Sequence, residues 1–343
     1  MLIIFAMIAM ALPLNLHAKE FTVMTYNVEN LFDTTHDEGK KDYTNLPLEV
    51  KKKMPEAFRY CRSIQNPYWR EECYTLDWNE ETLNAKIRNI SRVILDFDNG
   101  RGPDILVLQE VENMNVLKML NERGNLGYST LVLLEGEDFR GIDVAIMSRF
   151  PLMDEPELHH VETQRKVRTR GILEAKFDVY GKSVVVFANH WPSQANPDEL
   201  RVLAAKKLMY ASARARADIR IAAGDFNTKE NDKLNGLRDI VLKPQRRIHF
   251  HPTNPSLQLR NEHAEGSHWY QGKWVYLDRI LIDSKSTENG VQTEFVLHAR
   301  DYMLKRRYYR SGRRHDVAPY RFDPVEDDGY SDHLPVAISV DLP

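Results

Sequence analysis

The sequence predicts an α/β fold, because apolar strand-like runs alternate with amphipathic helical stretches and polar residues recur where the strands end. The strand-like runs are rich in β-branched residues. They are FTVMTYN from Phe21, DILVLQE from Asp104, DVAIMSR from Asp143, SVVVFANH from Ser183, IRIAAGDFN from Ile219 and WVYLDRILID from Trp274. The placement of the polar residues predicts a site to which many strands contribute.

Helices are predicted between these strands. Apolar residues recur at helical spacing at Leu83, Ile87, Ile90, Ile94 and Phe97. The stretch from Asp198 to Ala217 predicts a further helix with a Lys/Arg-rich outer face. Strands that alternate with helices in this way favour an α/β arrangement over separate all-α and all-β domains.

The composition is that of a globular protein and selects no class of partner. The chain has 343 residues, of which 42% are hydrophobic and 28% are charged. The formal net charge is −3 and the isoelectric point is about 6.5. Because the total charge favours neither nucleic acid nor a membrane surface, any such preference must be local.

The N-terminus predicts export. An apolar run from Leu2 to Leu16 is short for a bilayer span and precedes the charged pair Lys19 and Glu20. We therefore expect a signal peptide over residues 1–18 and a periplasmic or secreted protein, with an uncleaved N-terminal anchor as the alternative. Residues 19–343 are expected to form a single domain.

Two long segments interrupt the α/β pattern, near residues 34–79 and 299–329. The first contains both cysteines, Cys61 and Cys73, which suggest a disulfide in an exported protein. Long segments within a compact domain are often functional, so we expect substrate preference to be set there.

Polar residues suited to metal-assisted phosphoryl chemistry occur in six segments. A hard cation such as Mg²⁺ prefers carboxylate and amide oxygens, and histidines can donate to phosphate oxygens. The residues are Asn27 and Glu29 in YNVEN, Glu110 in LQEVEN, His190 in NHWPS, Asp225 and Asn227 in GDFN, Asp278 in LDRIL, and Asp332 and His333 in SDHLP. Each segment alone is commonplace, since a strand-end Asp is usually a cap or turn residue. Their joint occurrence is what indicates a site.

In their order and with their neighbours, MTYNVEN, LQEVEN, GDFN, LDRIL and SDHLPV resemble the endonuclease/exonuclease/phosphatase superfamily. That superfamily includes deoxyribonuclease-I-like nucleases, abasic-site endonucleases, sphingomyelinases and inositol-polyphosphate 5-phosphatases. The resemblance runs from Phe21 to Leu342. It implies a four-layer α/β sandwich, in which two packed mixed β-sheets are flanked by helices and the site lies at one edge.

The resemblance also implies a divalent cation, with Mg²⁺ expected and Mn²⁺ or Ca²⁺ as alternatives. Glu110 would be the main metal ligand, Asn27 would lie close to metal and phosphate, and Asp332 would lie at or near the metal. Glu29 stands where many relatives have Asp, and this departure leaves a second metal site open.

For catalysis, the resemblance implies that Asp225 is the base or water-orienting carboxylate and that Asn227 holds it. His333 would contact the scissile phosphate while Asp278 orients its ring. His190 would be a second phosphate-contacting histidine or would assist the leaving group, and the match to the family suggests a nearby carboxylate, Asp143, as its loosely matched partner.

The implied activity is hydrolysis of phosphate esters, first as an endonuclease-like phosphodiesterase. The alternatives are a phosphomonoesterase or a lipid or inositol phosphate hydrolase on the same fold, and a catalytically silent binding module. The basic stretches RKVRTR from Arg165 and KRRYY from Lys305 would suit a phosphate backbone, or would simply be solvated surface. The expected partner is a phosphate-ester substrate, with nucleic acid as one candidate. No protein partner is implied, and a monomer is expected.

Overall fold

The computed structural model describes residues 19–163, 169–245, 248–252, 263–308 and 315–343. The expected signal peptide, residues 1–18, lies outside the described residues, as do residues 165–168 of the first basic stretch.

Strands account for most of the regular structure. The strands of the described residues are β1 (Glu20–Leu31), β2 (Ile105–Val111), β3 (Thr130–Leu133), β4 (Asp143–Ser148), β5 (Glu157–His159), β6 (Ile172–Val179), β7 (Lys182–His190), β8 (Ile219–Asp225), β9 (Phe250–Pro252), β10 (His268–Tyr270), β11 (Lys273–Val275), β12 (Asp278–Asp283), β13 (Gln292–Leu297), β14 (Leu304–Tyr308), β15 (His315–Pro319) and β16 (Val336–Asp341).

Helices connect and cover these strands. The α-helices of the described residues are α1 (Leu48–Lys52), α2 (Pro55–Ser63), α3 (Pro67–Thr75), α4 (Glu80–Leu95), α5 (Met114–Arg123), α6 (Asp198–Arg214) and α7 (Ser284–Glu288). Single helical turns lie at Tyr43–Asn45, Asp98–Gly100, Leu237–Val241 and Asp301–Met303.

Two six-stranded mixed sheets form the body of the fold. The first has the strand order β13-β16-β1-β2-β4-β3 and the second has the order β5-β6-β7-β8-β12-β9. Within them, β1 pairs in parallel with β2 and β7 pairs in parallel with β8, while the other pairs are antiparallel. The predicted class, an α/β fold with two mixed sheets flanked by helices, is confirmed.

The hydrophobic core explains the layer order. Buried side chains from the facing sides of both sheets form one large cluster, which also takes in the apolar faces of α4 and α5. A second cluster packs α6 against the outer face of the second sheet, around Trp191 and Phe226. The layers are therefore helices, first sheet, second sheet and helix, and burial of apolar area on both faces of each sheet stabilises the stack.

The predicted strands and helices are found, but one predicted strand is divided into two. The run WVYLDRILID is two strands, because β11 pairs with β10 whereas β12 pairs with β8, and the chain changes partner between Val275 and Asp278. The apolar pattern continues across this change of partner, so the sequence gives no sign of it.

The described residues of the two interrupting segments contain helices and strands. The first holds α1 to α3, and Cys61 on α2 is joined to Cys73 on α3, so the suggested disulfide is confirmed. The buried Lys51 ammonium donates to the carbonyl oxygens of Thr44, Cys73 and Leu76. The second segment holds the β14–β15 hairpin.

Among the described ranges, no helix has both the length and the apolar character needed to cross a membrane.

Candidate functional site

The polar residues meet because several strands end at one edge of the sandwich. His190 at the end of β7 lies opposite Asp225 at the end of β8, and Asp278 at the start of β12 lies opposite Asp225 on the other side. Asn27 reaches this row from the first sheet, where its Nδ2 donates to Asp225 Oδ2 at 3.3 Å. The site therefore spans both sheets.

A close approach of β7 and β8 holds this row together. Gly224 has a φ of +142°, and a Cβ at this position would lie 1.9 Å from the carbonyl oxygen of Asn189. Only glycine fits such a backbone contact. The Gly of GDFN therefore sets the spacing at which His190 and Asp225 face each other.

The backbone is distorted where β1 and β2 enter the site. Glu29, Asn30 and Glu110 have positive φ values of 53°, 56° and 65°, and the β1–β2 register shifts between Asn27 and Leu31. The Asn30 amide donates to Glu110 Oε2 at 3.1 Å. Left-handed backbone at non-glycine residues is strained, and such bulges re-aim side chains near functional sites.

Asp225 is the central carboxylate. It is buried, and its Oδ2 accepts hydrogen bonds from Asn27 and, at 3.0 Å, from Asn227 Nδ2. The backbone N–H of Asn227 donates to Asp225 Oδ1 at 2.8 Å. Burial, followed by the charge of Asp278, raises the pKa of Asp225 to about 7. A carboxylate held in place with such a pKa suits a general base near neutral pH.

His333 forms a buried pair with Asp278. Its Nδ1 lies 2.6 Å from Asp278 Oδ2, and its Nε2 lies 4.0 Å from Asp225 Oδ2. Burial by itself would lower the pKa of His333, but the charge and the hydrogen bond of Asp278 outweigh it and raise this pKa well above its ordinary value. The ring is therefore protonated and can donate from Nε2.

His268, which the sequence motifs do not indicate, stacks on His333. The ring centroids are 4.5 Å apart, and His268 Nδ1 lies 3.0 Å from the carbonyl oxygen of Asp332. Burial, with the charge of His333, lowers the pKa of His268 to about 4. An isolated β-bridge between His268 and His333 brings them together, so only the tertiary structure reveals this contact.

His190 has the opposite charge state from His333. Its Nε2 lies 3.7 Å from Asp225 Oδ2 and 3.8 Å from Glu110 Oε1. Burial, followed by the positive charge of Arg170, lowers the pKa of His190 well below its ordinary value. The two histidines are therefore a neutral and a charged donor that face the same carboxylate.

The expected pairing of Asp143 with His190 is not seen as a hydrogen bond. Asp143 Oδ1 accepts from the Gly136 amide at 3.0 Å, and neither Asp143 Oδ2 nor His190 Nδ1 has a hydrogen-bond partner within the described residues. Burial raises the pKa of Asp143 to about 7. Asp143 begins β4, and its role beside His190 stays a prediction.

Two arginines supply positive charge near His190. Arg170 Nε lies 3.5 Å from Asp138 Oδ2, and Arg140 Nε lies 3.9 Å from Asp138 Oδ1. Both guanidinium groups lower the pKa of His190. Arg170 ends the basic stretch RKVRTR, so the sequence carried a signal for it. No local pattern indicated Arg140.

Glu29 is enclosed by other protein groups. Its Oε2 accepts from the Asp332 amide at 2.9 Å, and its Oε1 forms an ion pair with Arg321 Nε. Burial, followed by the charge of Asp332, raises the pKa of Glu29 to about 8. Arg321 comes from the second interrupting segment, so the sequence motifs could not associate it with Glu29.

The residues present fit one hard cation at Glu110. Glu110 Oε1 is not hydrogen-bonded within the described residues, whereas both carboxylate oxygens of Glu29 have protein partners. Two groups of ligand-type atoms that lie within 4.8 Å of one another share His333: one adds His268 and Asp332, and the other adds Asp225 and Asp278. Glu110 belongs to neither group, so the fit rests on the availability of its Oε1, since Mg²⁺ commonly binds through one or two carboxylates and keeps several waters.

A further His/carboxylate group lies at an edge strand. His159 Nε2 lies 2.6 Å from Glu174 Oε2, and His159 Nδ1 lies 3.4 Å from Glu157 Oε1. Glu157 lies two residues before His159 on β5, whereas Glu174 comes from the neighbouring strand β6, so the sequence around His159 shows only part of this group. This group forms no part of the site around Asp225.

A cleft of about 900 Å³ adjoins the site. Glu29 and Asn30 belong to its lining, together with the buried Lys86. One wall is α3 with the segment that leads into α4, and the other is residues 319–327 with Lys305. Both walls come from the interrupting segments or their borders, which places those segments beside Glu29 and Asn30.

Comparisons with solved structures give the same fold at low identity. A humanized D. rerio TDP2 carrying 14 mutations aligns with a TM-score of 0.56 at 16% identity, over 95% of this chain and 100% of that one. D. rerio TDP2 complexed with single strand DNA product gives 0.54 and 16%, over 94% and 99%. An endonuclease/exonuclease/phosphatase from Bacteroides vulgatus gives 0.55 and 13%, over 94% and 99%. These similarities show a shared fold. No curated protein sequence matches the chain.

A family model described as "Endonuclease/Exonuclease/phosphatase family" matches residues 63–342. The matched range contains the motifs with Glu110, His190, Asp225, Asp278 and His333, and it spans well over half of the chain. The predicted resemblance is confirmed, and with it a general assignment to hydrolysis of phosphate esters. The chain belongs to the endonuclease/exonuclease/phosphatase family.

Proposed function

We propose that this protein is a metal-dependent phosphodiesterase that uses a water molecule held by Asp225. The observation that carries the proposal is the arrangement of two imidazoles in opposite protonation states around one carboxylate. His190 Nε2 and His333 Nε2 lie 3.7 and 4.0 Å from Asp225 Oδ2. A phosphoryl group bound between them would meet a base on one side and hydrogen-bond donors on the other.

The proton transfers follow from these environments. Asp225 accepts a proton from the attacking water, and the amide groups of Asn27 and Asn227 fix the direction in which its oxygens point. His333, held protonated by Asp278, donates to a phosphoryl oxygen as negative charge develops there. His190 donates without adding charge.

Glu110 is the residue that would hold the cation, with Asn27 and Asp332 nearby in the family pattern. When bound, a divalent cation supplies positive charge to the phosphoryl oxygens and lowers the pKa of water. Mg²⁺ is the proposed ion, because the surrounding donors are oxygens.

A phosphodiester is proposed ahead of a monoester, in line with the family resemblance of the sequence motifs. Nucleic acid is one proposed substrate class. It is supported by the shared fold with D. rerio TDP2 bound to single strand DNA product and by the positive charge of Arg140 and Arg170 near His190. Export to the periplasm or the medium is part of the proposal and rests on the N-terminal sequence alone.

The test is an assay of the purified chain without residues 1–18. The substrates are bis-p-nitrophenyl phosphate, p-nitrophenyl phosphate and single-stranded DNA, each with Mg²⁺, Mn²⁺, Ca²⁺ or a chelator. We expect metal-dependent cleavage of the diesters and its loss in Asp225→Asn. The proposal is wrong if the folded protein cleaves none of the diesters, or if chelation leaves the rate unchanged.

A further inference from the structure

Two loops follow the strands that carry the proposed catalytic residues. The β7 loop, residues 191–197, comes after His190, and the β8 loop, residues 226–236, comes after Asp225. Asn227 belongs to the β8 loop, and both oxygens of Asp225 accept hydrogen bonds from it. The φ of Asn227 is +47°, a left-handed conformation that is retained only where neighbouring contacts hold it. The position of Asn227 therefore depends on what supports this loop.

Side chains connect the two loops directly. Asn227 Nδ2 donates to the carbonyl oxygen of Trp191 at 3.1 Å. In the other direction, Gln194 Nε2 donates to the carbonyl oxygen of Asn227 at 2.5 Å and to Asp232 Oδ2 at 3.0 Å. Gln194 thus joins the β7 loop to two points of the β8 loop.

A buried arginine on α6 contacts both loops. The Arg201 side chain is 1% exposed. Its Nη1 donates to the carbonyl oxygens of Pro192 and Ser193 at 3.2 and 3.0 Å. Its Nη2 lies 3.7 Å from Asp232 Oδ2. The planar guanidinium group presents its donors in fixed directions, so one side chain can hold both loops.

The burial of this charge indicates a directional role. Removing a guanidinium group from water costs free energy, and a well-packed apolar side chain of similar volume often stabilises a fold equally well or better. An apolar side chain would offer no donor to the carbonyl oxygens of Pro192 and Ser193 and no partner to Asp232. Arg201 therefore contributes a defined arrangement of the two loops more than it contributes stability.

Within the proposed phosphodiesterase function, we propose that three residues of this region, here called the loop network, are positioning residues for the reaction. They are Arg201, Asp232 and Gln194. The loop network holds Asn227 where its two donors reach Asp225, and it holds the start of the β7 loop. Because it acts through the loops and not by contact with the substrate, its loss should slow the chemical step more than it weakens substrate binding.

The first test compares kcat with KM on bis-p-nitrophenyl phosphate. Arg201→Met should lower kcat by about 10²-fold and leave KM within about twofold, because displaced catalytic groups cost mainly transition-state stabilisation. Gln194→Met changes a half-buried loop side chain and should lower kcat by roughly tenfold, as for the loss of one or two hydrogen bonds. If Arg201→Met does not fold, the result for Gln194→Met decides.

The matched control is Arg220→Met. Arg220 is also a largely buried arginine, but it lies at the opposite end of β8 from Asp225. Its Nε and Nη2 donate to the Ala215 carbonyl oxygen at 3.0 and 2.7 Å, and its Nη1 lies 3.7 Å from Asp283 Oδ2. The control should lower Tm but keep kcat within about twofold. Unchanged kcat in the folded loop-network variants, or an equal loss of kcat in Arg220→Met, would overturn the inference.

Hydrogen exchange separates a failure of this inference from a failure of the proposed function. Measured by mass spectrometry on the folded proteins, amide exchange in the β7 and β8 loops should be faster in Gln194→Met than in the unmodified protein or in Arg220→Met. If the unmodified protein cleaves no diester, the proposed function fails, and the exchange rates still decide whether the loop network holds the loops. Equal exchange in all three proteins overturns the inference.

Discussion

The two flanks of the site differ in charge and in origin. Near His190, Arg140 and Arg170 share a single carboxylate, Asp138, and make the surroundings positive. Near Glu29, the cleft walls hold seven carboxylates against three cations. The first flank suits an anionic phosphate chain, and the second repels one.

This difference indicates that one part of the molecule carries out the reaction and that another part determines which substrate is bound. The proposed catalytic residues lie at the ends of strands, where sheet pairing fixes their positions, as for His190, Asp225 and Asp278. The cleft walls come from interrupting segments, which can change without moving the strands. We infer that the strand ends set the reaction and that the flanks set which ester is accepted.

The largest effect is expected at Asp225, the central carboxylate of the site. Asp225→Asn removes the base and should lower kcat by about 10³-fold or more on any ester, measured with bis-p-nitrophenyl phosphate and with DNA. In the unmodified protein, kcat/KM should rise with pH through the pKa of Asp225, about 7.

The stability of the folded protein should change with pH in the direction opposite to kcat/KM. A raised carboxyl pKa means that ionised Asp225 destabilises the fold, and this cost grows as pH rises from about 4, the ordinary Asp value, toward about 7. We therefore expect Asp225→Asn to unfold at an equal or higher temperature than the unmodified protein at pH 8. A strongly lowered Tm would mean that the variant lost activity through unfolding.

The next largest effect concerns the protonated histidine. Asp278 holds the pKa of His333 well above its ordinary value, so removal of its charge in Asp278→Asn should lower that pKa. The activity should then be lost at lower pH on the alkaline side, and kcat should fall by roughly 10²-fold. An unchanged alkaline limb in the pH profile of kcat would show that His333 is not the proton donor.

A smaller effect on kcat/KM should distinguish the flank near His190 from the flank near Glu29. Arg170→Met removes charge beside His190 and should lower kcat/KM for single-stranded DNA by roughly 10- to 100-fold, since hydrogen bonds to charged groups contribute about 1.5–3 kcal/mol. Bis-p-nitrophenyl phosphate, which has no polyanionic chain, should be affected less. Arg300→Met, at an exposed ion pair with Asp96, is the control. Equal losses on both substrates would remove the distinction between the flanks.

The smallest effect on the reaction is expected from the disulfide. Cys61→Ser/Cys73→Ser opens a link across 12 positions and should lower the free energy of unfolding by about 3 kcal/mol at most, measured by urea denaturation. Turnover of bis-p-nitrophenyl phosphate should stay within about twofold, because the strand ends do not depend on α2 and α3. A large loss of kcat on this ester would show that the segment supports the chemistry as well.

Much of the fold follows from local pattern. Alternating apolar runs predicted the strands that carry Asn27, Glu110, His190 and Asp225, because burial between two layers requires such runs. The division of WVYLDRILID was not predicted, since apolar periodicity does not say which strand a segment pairs with.

The site was predicted as a set of residues, but its electrostatics was not. The motifs named Asp278 and His333, which lie 2.6 Å apart across 55 positions of sequence. They could not name Arg321, His268 or Arg140, because these residues reach the site from segments without a recognisable motif. The opposite protonation states of His190 and His333 depend on burial and on neighbouring charges, which exist only in the folded chain.

The sequence by itself determined the family and the layered α/β class and named the proposed site residues, because hydrophobic periodicity and short motifs are local properties. Only the tertiary structure decided that both carboxylate oxygens of Glu29 have protein partners, in which direction the pKa values of His190 and His333 shift, and that an acidic cleft adjoins Glu29. Those properties arise because groups that are distant in sequence lie close together in a poorly solvated site. There, each charge changes the free energy of ionisation of its neighbours.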